Sequence, residues 1–217
     1  MRNFQKAGGI ASLIEAGTFL FGFALLVTVL APLFQGELDG IATVRFLAEH
    51  TTLYYIWNLV IYVLFGFMLV VLALALHERL SDASPRLMRL ATALGLIWAG
   101  LVIASGMVAN IGAAAVTELL PREPEVAATV WIAVATVTRG LGGGNEVVGG
   151  VWVALLSLVA LKSGKLPKAL NYLGVVSGTA GVVTLVPALT DVGAVFGLGL
   201  IVWFLWIGVV LLGRRYA

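Results

Sequence analysis

Long apolar stretches separated by short polar segments dominate this chain of 217 residues. Each stretch is close to the ~20 apolar residues that a helix needs to cross the hydrocarbon core of a bilayer. That core contains no water, so backbone amides must bond within their own segment, and the stretches are predicted to be α-helices. We expect six membrane spans, at about residues 8–34, 53–76, 87–116, 147–161, 170–189 and 193–212.

A further apolar stretch, Val126 to Thr138, follows Pro121 and Pro124. As a helix it would extend roughly 20 Å, which is short of a core about 30 Å thick. It is therefore predicted to be an extra helix on the outer side, either interfacial or re-entrant. The predicted fold is an all-α integral membrane bundle of six transmembrane helices, forming a single domain over residues 1–217.

Basic residues are concentrated on one side of this pattern. Cytoplasmic loops of membrane proteins carry an excess of Lys and Arg. Of the 13 basic residues, only Arg45, Arg122 and Arg139 fall on the opposite side. Both termini are therefore predicted to be cytoplasmic, and the protein to be a multi-pass protein of the plasma (inner) membrane. The residues on the cytoplasmic side are Arg2, Lys6, Arg79, Arg86, Arg89, Lys162, Lys165, Lys168, Arg214 and Arg215.

Composition excludes several other classes of protein. Hydrophobic residues make up 61% of the chain and charged residues 11%, whereas about a quarter of a soluble domain is charged. The basic residues are scattered over short loops, which argues against a nucleic-acid partner. There is no cysteine, and His50 and His77 lie in loops on opposite sides, so no metal site is expected. No catalytic set and no cofactor motif is recognisable, so an enzyme is unsupported and no cofactor is expected.

Small residues recur four positions apart on several spans. In lipid, such stripes allow helix backbones to approach closely. We expect them to pack helices within the bundle or between the subunits of a homo-oligomer, with an open cleft as the alternative. The stripes are Gly8, Ser12 and Ala16; Ala91, Gly95 and Ala99; Gly174 and Gly178; Ser177 and Gly181; and Gly193 and Gly197.

Glu15 is the deepest ionisable residue, about two turns into the first span. An ionised carboxylate is costly at that depth, so Glu15 must have a partner or be protonated. Its helix face carries small and weakly polar residues, which indicates that it points into the bundle. Two interpretations stay open. The first is a proton or cation site, and the second is a carboxyl that is hydrogen-bonded to a neighbouring helix or reaches toward the basic loops of the inner side.

A second polar group gathers near the outer ends of the spans. Its members are Asn58, Tyr62, Asn110, Arg139, Asn145 and Glu146. We expect Arg139 to pair with Glu146 across the glycine run that separates them. Pro32 and Pro187 weaken spans in the same zone and would free carbonyls to line a cavity. This group is the candidate ligand pocket, and the alternative is a belt of residues that cap helices at the interface.

The second half of the chain resembles a bacterial membrane family of unknown function, domain of unknown function 4386. The resemblance rests on Gly144 to Gly150, Trp152, Leu166, Pro167, Leu170, Gly174 and Gly181, and on Phe196, Gly197, Trp203 and Phe204 within Val195 to Gly208. It covers roughly residues 140 to 213. It implies a multi-span bundle and supplies no activity, substrate or catalytic residue.

Three functional hypotheses follow. The first is a noncatalytic membrane protein, with the lipid bilayer as its surroundings, that binds a small or lipophilic ligand or packs as a membrane subunit. The second is a proton-coupled carrier of small solutes that uses Glu15. The third is an intramembrane enzyme.

Overall fold

The computed structural model describes residues 2–34, 39–143 and 146–213. Most of these residues are helical, and no strand occurs among them. The α-helices are α1 Arg2–Leu26, α2 Ala31–Phe34, α3 Gly40–Glu49, α4 Thr51–Asn58, α5 Phe65–Leu80, α6 Pro85–Leu119, α7 Pro124–Thr138, α8 Val147–Ser163, α9 Lys168–Val183 and α10 Gly193–Leu212. A first π-helix, Leu59–Leu64, a second π-helix, Arg139–Gly143, and a 3₁₀-helix, Pro187–Val192, interrupt or connect them. The second π-helix is kinked at Gly142, whose backbone is not helical.

Five helical segments of the described chain are long and apolar enough to cross a membrane. Helix α9 has 16 residues and is shorter than all of them. The prediction of an all-helical, multi-span membrane fold is confirmed at this level. The five segments are Asn3–Leu26, Thr51–Leu80, Pro85–Leu119, Pro124–Ser163 and Pro187–Leu212.

The helix bounds follow the sequence closely in the last span and less closely in the first. Helix α10 covers the predicted residues 193–212. Helix α1 ends at Leu26, whereas the apolar run continues to Phe34. Pro32 has no N–H to give to the carbonyl of Thr28, and its ring crowds that carbonyl. The chain therefore turns after Leu26 and resumes as the short α2.

Helices α7 and α8 lie along a single path beside α6. Gly112 of α6 faces Val134, and Ser105 Oγ donates to the carbonyl of Thr138 at 3.3 Å. Further along, Gly149 faces Trp98 of α6. Residue numbers fall along α6 as they rise along its neighbours, so α7, the second π-helix and α8 all run antiparallel to α6. The apolar stretch expected to be a separate outer helix is continuous in direction with the span that follows it.

Six helices form a closed ring, in which each contacts the next: α1, α5, α6, α8, α9, α10 and again α1. Hydrogen bonds connect α1 to both of its neighbours. Gln5 Nε2 donates to the Ala75 carbonyl of α5 at 2.8 Å, and Ser12 Oγ donates to the Phe204 carbonyl of α10 at 2.7 Å. Each helix is antiparallel to the next.

Aromatic side chains fill the interior of the ring. Trp152 and Trp203 are fully buried, and their ring centroids lie 5.8 Å apart in an edge-to-face arrangement. Phe65 meets Trp98 at 5.3 Å in a similar geometry. Such pairs stabilise a core beyond the contribution of their buried area. The middle of the ring is therefore packed with side chains and is not a pore.

The predicted small-residue stripes lie at contacts between helices of the same chain. A Cβ atom added to Gly150 of α8 would stand 2.5 Å from the Gly178 carbonyl oxygen of α9. A Cβ on Gly181 would stand 2.7 Å from a ring carbon of Phe196. The small residues thus allow close approach within this bundle.

One end of the ring, which we call the Lys165 end, carries most of the basic residues. The Lys165 ammonium forms an ion pair with Asp82 and donates to the Arg79 carbonyl at 3.1 Å. The hydrogen bond from Lys165 lowers the pKa of the Asp82 carboxyl below its ordinary value. These contacts connect the α5–α6 turn to the loop before α9. Lys6, Arg86, Arg89, Lys162 and Lys168 lie at the same end, and Arg214 and Arg215 lie outside the described residues.

The opposite end, which we call the Asp191 end, has a smaller core of its own. Helix α6 extends well past the ends of α9 and α10 and packs there against α3, α4 and α7. Val44, Val116 and Ala127 are fully buried in this region. Asp39 caps α3, accepting a hydrogen bond from the Ala42 amide at 2.7 Å. At this end the ring of six helices thus stops, and a second layer of helices begins.

Candidate functional site

A cavity of about 580 Å³ lies at the Asp191 end, where the ring of six helices stops and the second layer begins. Its walls come from α1, the first π-helix, α6, the second π-helix and the turn between α9 and α10. Most of the lining side chains are apolar or aromatic. The lining residues are Thr18, Phe19, Gly22, Phe23, Leu26, Phe34, Trp57, Ile61, Tyr62, Phe65, Trp98, Val102, Gly142, Glu146, Thr184, Thr190, Asp191, Gly193, Ala194 and Gly197.

Both π-helices contribute to the cavity wall. Ile61 and Tyr62 come from the first, and Gly142 comes from the second. Gly142 has φ of 146°, a conformation that side-chain-bearing residues rarely adopt. A π-helical turn displaces the following residues relative to a regular α-helix, and such turns occur frequently at functional sites. The two irregular segments lie at the same level of the bundle and are the local cause of the cavity's shape.

Glycine and alanine provide much of the remaining wall. Gly193, Ala194 and Gly197 lie on the first turns of α10, and Gly22 lies opposite on α1. A Cβ on Gly197 would stand 3.0 Å from the Phe23 ring, so this residue also allows α1 and α10 to approach closely. Part of the small-residue pattern on α10 thus borders open space, which was the alternative interpretation of these stripes.

Two residues of the candidate group line the cavity, Glu146 and Tyr62. Glu146 is the ionisable carboxyl of the two. Its backbone amide donates to Thr184 Oγ1 at 3.1 Å, and that hydroxyl donates to the Gly181 carbonyl at 2.7 Å. No described residue donates a hydrogen bond to the Glu146 carboxylate. Glu146 therefore contributes a polar residue to the cavity wall.

Asn58 and Asn110 bond to each other and do not line the cavity. Asn58 Nδ2 donates to Asn110 Oδ1 at 3.0 Å and to the Tyr54 carbonyl at 3.0 Å. Asn110 Nδ2 in turn donates to the Tyr55 carbonyl at 3.3 Å. Both side chains are buried, at 0% and 7% exposure. Their contacts hold α4 against α6 beside the cavity.

Arg139 begins the second π-helix and has an exposed side chain. Among the described residues, no ion pair joins its guanidinium to Glu146. The expected pairing across the glycine run is thus not the contact that the structure contains. Asn145, the remaining member of the candidate group, lies outside the described residues, as does Gly144.

Glu15 is completely buried on α1, and neither carboxylate oxygen has a hydrogen-bond partner among the described residues. It lies one turn from Thr18, whose hydroxyl donates to the Glu15 carbonyl at 2.8 Å and which lines the cavity. The alternative of a carboxyl hydrogen-bonded to a neighbouring helix is not what the structure shows. Glu15 thus lies beneath the cavity, on the side of the aromatic core.

Several cavity residues were not singled out in the sequence. Asp191 and Thr190 read as a tight turn between two spans, and Thr184 as part of a span. Trp57, whose indole Nε1 donates to the Gly22 carbonyl at 3.2 Å, lies within the predicted second span. The signal that could have found them is that the predicted ends of several spans lie at the same depth as Glu146. Among the described residues, no three His, Asp or Glu side chains gather into a metal site.

Comparison with known proteins identifies the family and no activity. No curated protein and no solved structure matches the chain. A family model described as a domain of unknown function (DUF4386) matches residues 8–208, which confirms the resemblance seen in the second half and extends it over the first. These residues include both the helix ring and the cavity. The chain therefore belongs to the DUF4386 family.

Proposed function

We propose that this protein is a noncatalytic membrane protein that binds a small, mainly apolar ligand in the cavity at the Asp191 end. The observation that carries the proposal is the cavity itself, which encloses about 580 Å³ between aromatic and aliphatic walls. Sites for small molecules typically occupy about 300 to 1,000 Å³ and combine apolar walls with a few polar groups. Glu146, Tyr62 and Thr184 are such groups.

The membrane arrangement that suits this function has six crossings with both termini in the cytoplasm. The five long apolar segments and the shorter α9 would supply the crossings. The Lys165 end would face the cytoplasm, because Lys and Arg are enriched in cytoplasmic loops. Helix α7 would then lie on the outer side as the outward continuation of α8, and the cavity would lie near the outer boundary of the plasma membrane.

Binding of a neutral apolar fluorophore tests the proposal. N-phenyl-1-naphthylamine, titrated into protein in lipid nanodiscs, should bind to the wild-type chain in excess of its partition into empty nanodiscs. The substitution Ala194→Phe places a ring in the cavity and should weaken binding by about tenfold or more. Val195→Phe is the matched control, because Val195 is the next residue, is 51% exposed and does not line the cavity.

The result is decisive in either direction. Binding that is lost with Ala194→Phe and retained with Val195→Phe supports a ligand site in the cavity. Equal binding by wild type and Ala194→Phe, with both variants folded by circular dichroism, would mean that the probe binds elsewhere and would refute the proposal.

A proton-coupled carrier is the second candidate, and one observation favours it. Glu15 is fully buried without a hydrogen-bond partner among the described residues, and it lies one turn below a cavity residue. A carboxyl inside the membrane is a functional hypothesis by default. Protein reconstituted in vesicles should then carry protons in a solute-dependent manner, and Glu15→Gln should abolish this flux. Equal flux with Glu15→Gln would exclude Glu15 as the coupling group.

A further inference from the structure

The ionisable residues that line the cavity are acidic or phenolic. Glu146 comes from the start of α8, and Asp191 comes from the 3₁₀-helix across the cavity. The described lining includes no Lys, Arg or His. Arg139 is exposed and is not among the lining residues. The ionisable side chains of the described lining are therefore carboxyl and phenol groups.

Aromatic rings line the same cavity. Phe19 and Phe65 meet edge to face with centroids 5.5 Å apart, and Trp57 and Tyr62 do the same at 6.3 Å. Ring faces attract organic cations, most strongly where water is excluded. Aromatic walls together with an acidic group are the combination that recognises a positive charge carried on an apolar body.

We propose that the ligand of this cavity is a lipophilic organic cation, such as a hydrophobic amine, quaternary ammonium or phosphonium compound. This inference rests on the proposed function and adds the charge of the ligand to it. The aromatic walls take the apolar body, and Glu146 and Asp191 supply the countercharge. A small metal cation suits the site less well, because hard cations require about six or more oxygen ligands and the walls are mainly carbon. An anion would be repelled by both carboxylates.

Two probes of the same shape and opposite charge test the inference. Tetraphenylphosphonium and tetraphenylborate differ in the sign of their charge while presenting the same four phenyl rings. Equilibrium binding of radiolabelled probes is measured on protein in nanodiscs of zwitterionic phosphatidylcholine, which avoids a charged lipid surface. We expect the phosphonium to bind to the cavity at least about tenfold more tightly than the borate, after correction for binding to empty nanodiscs.

Carboxylate variants assign the effect to the cavity. Glu146→Gln and Asp191→Asn should each weaken phosphonium binding by about tenfold. Glu125→Gln is the matched control, because it removes one negative charge from exposed α7 at the same end of the molecule. Asp191 lies on an exposed turn, so its variant serves if Glu146→Gln fails to fold.

The outcomes separate this inference from the proposed function. Binding of the borate as tight as that of the phosphonium, with the neutral fluorophore still bound, would overturn the cation inference alone. The same conclusion follows if Glu125→Gln weakens phosphonium binding as much as Glu146→Gln and Asp191→Asn do. Failure of all three probes to bind in the cavity would overturn the proposed function.

Discussion

The side-chain amide of Asn58 donates to that of Asn110 at 3.0 Å, joining α4 to α6 where both residues are buried. Hydrogen bonds between membrane helices contribute about 0.6 kcal/mol on average and up to about 1.7 kcal/mol. In a double-mutant cycle of Asn58→Ala and Asn110→Ala, we therefore expect a coupling energy of about 1 kcal/mol. Unfolding in mixed micelles measures it, and strictly additive single effects would contradict the pairing.

The contact between Gly150 and Gly178 should not tolerate a methyl group. A Cβ on Gly150 would stand 2.5 Å from the Gly178 carbonyl oxygen and 2.8 Å from the Val182 amide nitrogen, both of which are backbone atoms. We expect Gly150→Ala to lower the free energy of unfolding by about 1 to 3 kcal/mol. Gly100→Ala is the control, because nothing lies within 4 Å of the added Cβ, and it should be neutral or slightly stabilising. Equal effects of the two substitutions would argue against close packing of α8 on α9.

The backbone conformation of Gly142 predicts that alanine affects stability differently at Gly142 and at Gly140. Gly142 has φ of 146°, and Gly140, in the same π-helix, has no such strain. Gly142→Ala should destabilise the protein by about 1 to 3 kcal/mol and weaken binding of the neutral fluorophore, because the strain falls on the cavity wall. Gly140→Ala should have little effect on either measurement. An unchanged unfolding midpoint for Gly142→Ala would show that the turn adapts to a side chain.

The ion pair between Lys165 and Asp82 predicts a pH dependence at the Lys165 end. Because the folded protein lowers the pKa of Asp82, the ionised carboxylate stabilises the fold at pH values above its ordinary pKa of 3.8, and this contribution is lost as the pH falls through the folded-state pKa. Asp82→Asn should therefore lower the thermal midpoint near pH 7, and the difference from wild type should shrink below roughly pH 4. Glu118→Gln is the control, because Glu118 is an exposed carboxylate on α6. A difference that is constant with pH would exclude the ionised pair as its cause.

Cysteine labelling can test the proposed orientation, because the chain has no cysteine of its own. Ala83 and Ala188 are exposed alanines in turns at opposite ends of the ring. A membrane-impermeant maleimide should label Ala188→Cys in intact cells and label Ala83→Cys only after permeabilisation. The reverse pattern would place the Lys165 end outside and invert the proposed topology.

The sequence predicts helix bounds best where a charged residue lies directly beside an apolar run of membrane-spanning length. Asp191 and Gly193 mark the start of α10. Glu146 and Gly164 mark the start and the end of α8 in the same way, as a charged residue and a glycine beside an apolar run. The end of α1 was harder to predict, because Val27, Val29 and Leu30 stay apolar while the backbone turns. Hydropathy indicates whether a segment lies in lipid or in water, but it does not indicate where the backbone turns.

The cavity could be predicted only in part for a related reason. Depth along each span follows from counting residues, so Tyr62 and Glu146 could be assigned to one level. The side-chain partner of Asn58 depends on how α4 and α6 rotate about their axes, which no pattern in either helix specifies. The two π-helices have no sequence signature either, although they shape the wall.

Helix α9, with its 16 residues, extends about 24 Å, whereas a typical hydrocarbon core is about 30 Å thick. Leu185 and Val186, at 70% and 50% exposure, continue its apolar surface only by a few residues beyond the helix. Lipids beside this helix would have to compress, and compression costs a fraction of a kcal/mol per Å of mismatch. We therefore expect the protein to be more stable in bilayers of shorter-chain lipids, which would make membrane thickness a determinant of where it accumulates.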